Sequence, residues 1–166
     1  VDGAVIMHAR DADNTRRPDR IRRWVAISRD VGDTWEKPNA DPTLVCPQCH
    51  ASLERLSTDA DGGKNRLLFS NPASRYRQER HPYGRHNLTV RLSYDEGGTW
   101  PVGKVLEPGI AGYSDLAVSP DGAIYCLYER GGLGGNHYHT QGVTVAKFSL
   151  QWLTDGQDAA NSERDE

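Results

Sequence analysis

Apolar and polar positions along this chain fall into short runs separated by turn residues, and no stretch sustains a 3.6-residue apolar period. Three of the runs follow an Asp-Gly turn. Asp2-Gly3 leads into Ala4–His8, Asp61-Gly62-Gly63 into Arg66–Ser70, and Asp121-Gly122 into Ala123–Tyr128, at a spacing of about sixty residues. After a variable insertion each unit offers a second segment rich in β-branched and aromatic residues: Arg23–Ser28, Asn87–Ser93 and Val143–Ser149. Runs of this kind predict strands, so the chain reads as all-β.

The first two units then end in related octapeptides, Ser28-Arg29-Asp30-Val31-Gly32-Asp33-Thr34-Trp35 and Ser93-Tyr94-Asp95-Glu96-Gly97-Gly98-Thr99-Trp100, which agree at five of eight positions. The aspartate of such a motif can close a turn on nearby backbone N–H groups, and the glycine supplies a positive φ. The tryptophan buries a large face beneath the turn. Ser28, Asp30, Gly32, Thr34, Trp35 and their equivalents Ser93, Asp95, Gly97, Thr99, Trp100 are therefore read as a folding motif rather than as chemistry. All-β units of this length, with about four strands each, suggest propeller blades. The chain holds under three of them, and a partial ring exposes two apolar blade faces. The sequence opens at Val1 with no initiator Met and no signal-type stretch, so it reads as a piece of something longer, and the remaining blades are expected upstream.

Composition narrows the classes. With 36% hydrophobic residues and four Trp, the chain is neither disordered nor collagen-like. No apolar run approaches the roughly 18 residues of a membrane span. Twenty Lys+Arg against 23 Asp+Glu give a net charge of -3, so the overall field draws neither nucleic acid nor an anionic membrane. Any anion must be held locally. Arg16, Arg17, Arg20, Arg22 and Arg23 are interleaved with Asp11, Asp13 and Asp19, which reads as a surface loop. Arg75, Arg77 and Arg80 read as a solvated basic loop.

Three cysteines are too few for a disulfide scaffold, and an odd count leaves a thiol unpaired unless it bridges between chains. Cys46-Pro47-Gln48-Cys49-His50 has the spacing of a c-type haem attachment, but Met7 is the only methionine for a distal ligand and the surroundings are strands. A zinc site would need a remote fourth ligand among His8, His137 and His139. The segment is read as a loop entering Ala51–Leu53, with a local thiol pair as one option. Asn136–His139, beside glycines, reads as a turn, and residues 154–166 as a polar, disordered tail following a packed region over 1–153.

The octapeptides are Asp-boxes, and with the surrounding strands the chain resembles the C-terminal half of a bacterial-type exo-α-sialidase over roughly Val1 to Leu153. The specific segments are Gly112-Tyr113-Ser114-Asp115-Leu116, followed by Leu127-Tyr128-Glu129, and Ser70-Asn71-Pro72 leading through an insertion to Arg85–Arg91. Phe148–Leu153 resembles the usual closing strand.

The resemblance implies a six-bladed sialidase-type propeller of which this chain supplies about the last three blades. It implies retaining hydrolysis of terminal α-sialosides on glycoconjugates, with no metal or organic cofactor. Tyr113 resembles the nucleophile, and Arg10 and Arg85 resemble the second and third members of an arginine triad that clamps the substrate carboxylate. Glu129 resembles the glutamate that holds the first arginine, which has no counterpart here. The general base Glu and acid Asp of the family also fall upstream, so the isolated chain is expected to be inactive and to need its N-terminal blades as partners. The resemblance further implies a secreted or cell-surface location, which nothing in the chain itself fixes. The alternative from another class is a non-catalytic Asp-box propeller that binds glycans or protein partners.

Overall fold

The computed structural model describes residues 3–11, 21–61, 63–74, 84–136 and 139–159. Asp2, Gly62, Asp13, Asp19, Arg16, Arg17, Arg20, Arg75, Arg77, Arg80, His137 and the tail from 160 to 166 lie outside the described residues.

The described residues are nearly all β. The strands are β1 (Val5–Arg10), β2 (Arg22–Ser28), β3 (Asn39–Val45), β4 (Ser52–Ser57), β5 (Arg66–Pro72), β6 (His86–Ser93), β7 (Val102–Val118), β8 (Ile124–Gly132) and β9 (Thr140–Phe148). They form two antiparallel sheets, β1-β2-β3 and β4-β5-β6-β7-β8-β9. The sequence pattern did not single out β3 or β4. Pro42 within β3 argues against a central strand, and β3 is indeed at a sheet edge, where a missing ladder N–H costs nothing.

β7 changes partner part-way. Its first half pairs with β6, from Leu92↔Val102 to His86↔Ile110, and its second half pairs with β8, from Ala111↔Arg130 to Val118↔Ile124. Pro108 and Gly109 sit just before the switch. The almost buried Glu107 fixes this bend by accepting from Gly109 N at 2.8 Å and from Arg130 Nε at 2.6 Å. The period-two alternation of a strand then sends Leu116, Ile124, Cys126 and Tyr128 into the core with Leu68, Leu88, Val90 and Leu92. Tyr113, Leu127, Glu129, Val143 and Val145 lie on the opposite face.

Phe148 is followed not by a continued strand, as the resemblance led us to expect, but by a short helix α1 (Leu150–Leu153). Ser149 caps it by accepting from Trp152 N at 3.1 Å, and the i, i+3 pair Leu150 and Leu153 is buried in the core. Packing continues past Leu153. Thr154 is buried, and Asp158 receives a two-pronged fork from Arg66, Nε to Oδ2 at 2.9 Å and Nη2 to Oδ1 at 2.8 Å, with the Tyr94 hydroxyl at 2.9 Å. The first residues of the stretch read as a polar tail are thus anchored to the start of β5. The Arg66 fork holds the Asp158 carboxyl below its ordinary range, and burial raises the Tyr94 phenol to about 12.

Both octapeptide turns are closed by the same bonds. Asp30 Oδ1 accepts from Thr34 N at 2.8 Å and Ser28 Oγ at 2.7 Å, while Gly32 N donates to Ser28 Oγ. Asp95 does the same with Thr99 N and Ser93 Oγ, both at 2.8 Å. Gly32 and Gly97 have φ of 105° and 85°. The Asp30 carboxyl falls to about 2, chiefly through its bonds from Thr34. The two tryptophans differ. Trp100 is buried and donates to Asp41 Oδ2 at 3.1 Å, tying the second sheet to β3, whereas Trp35 stays 41% exposed over its own turn.

Between the sheets lie Leu44, Leu67, Phe69 and Trp100. His8 reaches into this layer with its ring 5.5 Å from Phe69 and 6.2 Å from Trp100, and both of its ring nitrogens are buried without a hydrogen-bond partner. Burial, then the neighbouring Arg23 cation, lowers its pKa to about 4. The unfolded chain therefore takes up a proton near pH 6.5 that the folded chain refuses until about pH 4. Stability contributed by neutral His8 is present above pH 6.5 and declines by about 3 kcal/mol in total as pH falls to 4, then levels off. In urea titrations at pH 7 and pH 4, the parent is expected to lose that much more than His8→Phe; equal losses would exclude this origin.

Candidate active site

Four residues far apart in sequence converge at one end of the second sheet. Arg10 closes β1, Arg85 immediately precedes β6, Tyr113 lies three residues beyond Ile110, where β7 leaves β6, and Glu129 is on β8. Arg10 Nη1 makes a long hydrogen bond of 3.5 Å to the Tyr113 hydroxyl, which raises the guanidinium pKa above its ordinary value. The Arg85 Cζ lies 5.2 Å from the Tyr113 ring centre, within cation–π range. Glu129 Oε2 accepts the Tyr113 backbone N–H at 2.9 Å. Gly112 permits that approach, because a Cβ there would collide with Glu129 Oε2 and sit 3.2 Å from Glu129 Cβ.

Tyr113 is 42% exposed and lines an open cleft of about 310 Å³ with His50, Asp115, Leu127, Glu129 and Val143. Behind it the buried Ser70 Oγ and Ser114 Oγ are 2.9 Å apart, and the buried Ser52 Oγ donates to Oδ1 of the exposed Asp115 at 2.8 Å. Asn71, fully buried, donates to Val45 O at 2.7 Å, at the end of the strand leading into the cysteine loop. Two cationic forks thus meet the Tyr113 phenol and a carboxylate holds its backbone, beside a cleft open to solvent, an arrangement able to receive an anionic ligand at the arginines.

The Cys46–His50 loop belongs to this site. The Gln48 carbonyl accepts from Arg10 Nη1 at 3.5 Å and Arg85 Nη2 at 2.9 Å, with Gln48 itself at φ 51°. Cys46 and Cys49 are both buried, and burial raises the Cys49 thiol to about 12. Arg23 donates to Cys49 O at 3.0 Å and to Cys46 Sγ at 3.5 Å. Arg23 is therefore a buried strut under the loop and not part of a surface loop, the correction coming from its inward position on β2. Among the described residues no group of three His, Cys, Asp or Glu side chains comes together to hold a metal ion.

Gln48, His50, Leu127 and Val143 were not anticipated. Gln48 acts through its main chain, which carries no sequence signal, and His50 was read only as the end of a haem or zinc spacing.

A BNR repeat-like domain model matches residues 1–126. The chain is 37% identical over 155 residues to a sialidase of Micromonospora viridifaciens, covering 92% of this chain and 21% of that protein. It is 38% identical over 112 residues to a sialidase of Bacteroides fragilis, covering 64% of this chain and 19% of that protein. The chain thus spans about a fifth of the length of these curated relatives. Among solved structures, the Hadza microbial sialidase Hz136 aligns over 91% of this chain and 26% of its own, at 29% identity and a TM-score of 0.67. NanB sialidase from Streptococcus pneumoniae aligns over 93% of this chain and 23% of its own at 20% identity with a TM-score of 0.73, a likeness of fold. With its antiparallel sheets built on repeated turn motifs, the chain belongs to the BNR repeat-like domain family and has the β-propeller fold of the sialidases.

Proposed function

We propose that the intact protein carrying this chain is a retaining exo-α-sialidase acting on sialylated glycoconjugates, and that Tyr113 is its nucleophile. The observation that carries this reading is the convergence of Arg10, Arg85 and Glu129 on Tyr113, which lines an open cleft. A sialoside bears a carboxylate on its anomeric carbon. Arg10 and Arg85 take that carboxylate by charge-assisted hydrogen bonds, displacing their contacts to Gln48 O. A carboxylate nucleophile would be repelled by the substrate's own charge in a desolvated site, whereas a phenol is neutral until it reacts.

In the first step the Tyr113 oxygen forms a bond to the anomeric carbon while the bond to the leaving oxygen breaks. The phenolic proton passes to a base, and the leaving oxygen is protonated by an acid. In the second step water displaces the tyrosine, and the configuration is retained. The base, the acid and the first arginine of the triad come from other blades of a six-bladed ring in which this chain forms about the last three. Glu129 orients that first arginine. Two features support further blades: β1 and β9 are both sheet edges, and Met7 on one and Val143 and Val145 on the other expose apolar side chains. By the same reading the isolated chain does not turn over substrate, and the enzyme works outside the cell or at its surface.

The test is proton NMR of an aryl α-sialoside during hydrolysis by the intact protein. The first sialic acid released is expected to be the α-anomer. First release of the β-anomer would exclude a covalent tyrosyl intermediate, and binding without hydrolysis would favour a glycan-binding module.

A further inference from the structure

We propose that His50 is a positioning residue for Tyr113, an inference that rests on Tyr113 being the nucleophile. The reason starts with the exposure of Tyr113. A half-exposed tyrosine on an open sheet face has free rotamers, yet attack at carbon requires its oxygen to be held close to the reactive geometry, and displacement by about 1 Å costs on the order of a hundredfold in rate. The Glu129 bond fixes the backbone N–H of Tyr113, not its ring. Around the ring stand Arg10, Arg85 and His50. Both arginines are needed by the substrate carboxylate, so their hold on the ring weakens when substrate enters. His50 has no such second duty.

The His50 ring centre lies 5.6 Å from that of Tyr113 at an interplanar angle of 50°, a tilted aromatic contact. Its Nδ1 lies 3.2 Å from the Ser114 carbonyl. A carbonyl only accepts, so Nδ1 carries the proton in this bond, and the imidazole is tied to the residue that follows Tyr113 on β7. The loop beneath is itself rigidly anchored: Cys49 is fully buried, and its carbonyl is held by the buried Arg23. The C-x-x-C-H spacing thus places a histidine against a phenol, with both cysteines buried beneath it.

The experiment measures kcat and KM of the intact protein on an aryl α-sialoside for the parent, Tyr113→Phe, His50→Ala and His50→Phe, together with thermal unfolding midpoints. His50→Ala is expected to lower kcat at least tenfold while KM moves less than threefold. His50→Phe keeps an aromatic face against Tyr113 and should recover kcat to within about threefold of the parent. A structural role alone would shift the unfolding midpoint and would not be rescued selectively in kcat. If Tyr113→Phe is inactive and His50→Ala retains kcat within twofold, the positioning role is overturned and the nucleophile stands. If Tyr113→Phe turns over like the parent, the nucleophile assignment falls and takes this proposal with it. Equal loss of kcat in His50→Ala and His50→Phe would also overturn it.

Discussion

Replacing Tyr113 by phenylalanine in the intact protein is expected to reduce kcat on a fluorogenic α-sialoside at mildly acidic pH by a factor on the order of 10³ or more, the scale on which nucleophile removal is felt in other hydrolases. The substitution is informative because of what it leaves in place. The ring that meets His50 and Arg85 persists, and so does the backbone N–H bonded to Glu129. Only the oxygen and its long bond to Arg10 disappear. A loss of that size then reports chemistry and not packing. A variant that retained more than a tenth of parental kcat would sink the covalent tyrosine mechanism.

The second large effect lies at the opposite end of the sheet. Asp158→Ala strips the carboxylate from Arg66 and leaves a guanidinium that is only 7% exposed with its main partner gone. Removing one member of a buried pair typically costs about 3 to 5 kcal/mol, because the survivor keeps its desolvation penalty. The Tyr94 hydroxyl loses its acceptor as well. Denaturant unfolding should show a loss of at least about 3 kcal/mol for Asp158→Ala and a much smaller one for the double change Arg66→Met with Asp158→Leu. A loss under about 1 kcal/mol for the single variant would mean that the stretch after Leu153 does not close the sheet as described.

These two sites differ in how far the sequence revealed them. Tyr113 and Glu129 stand sixteen residues apart in a recognisable register, and Arg10 and Arg85 adjoin runs whose strand patterning is clear, so these candidates could be named from the sequence. Their support could not. Gln48 contributes a carbonyl, and any residue has one. His50 and Arg23 were hidden inside patterns, a metal-like spacing and a run of arginines, that have commoner explanations. Asp158 sits in a polar stretch indistinguishable from a solvated tail until its partner Arg66, far away in sequence, is brought alongside. The Asp-boxes show the same limit at smaller scale. Both turns close identically, since Ser, Asp, Gly and Thr act within eight residues, but whether the tryptophan is covered depends on a neighbouring strand: Trp100 has Asp41 to meet, and Trp35 has none among the described residues. Local chemistry was readable and long-range company was not.

The partner switch in β7 has one more implication, for modularity. A repeated motif invites the view that such chains grow, recombine or can be dissected one unit at a time. Here a single uninterrupted strand belongs to two units, bonded to β6 as far as Ile110 and to β8 from Ala111 onward, with the nucleophile candidate just past the junction. A cut between those two units would have to fall inside β7 at that junction, beside the candidate cleft. Cuts that leave β7 whole fall instead at reversals between neighbouring strands, at Asp121-Gly122 between β7 and β8 or after Trp35 between β2 and β3.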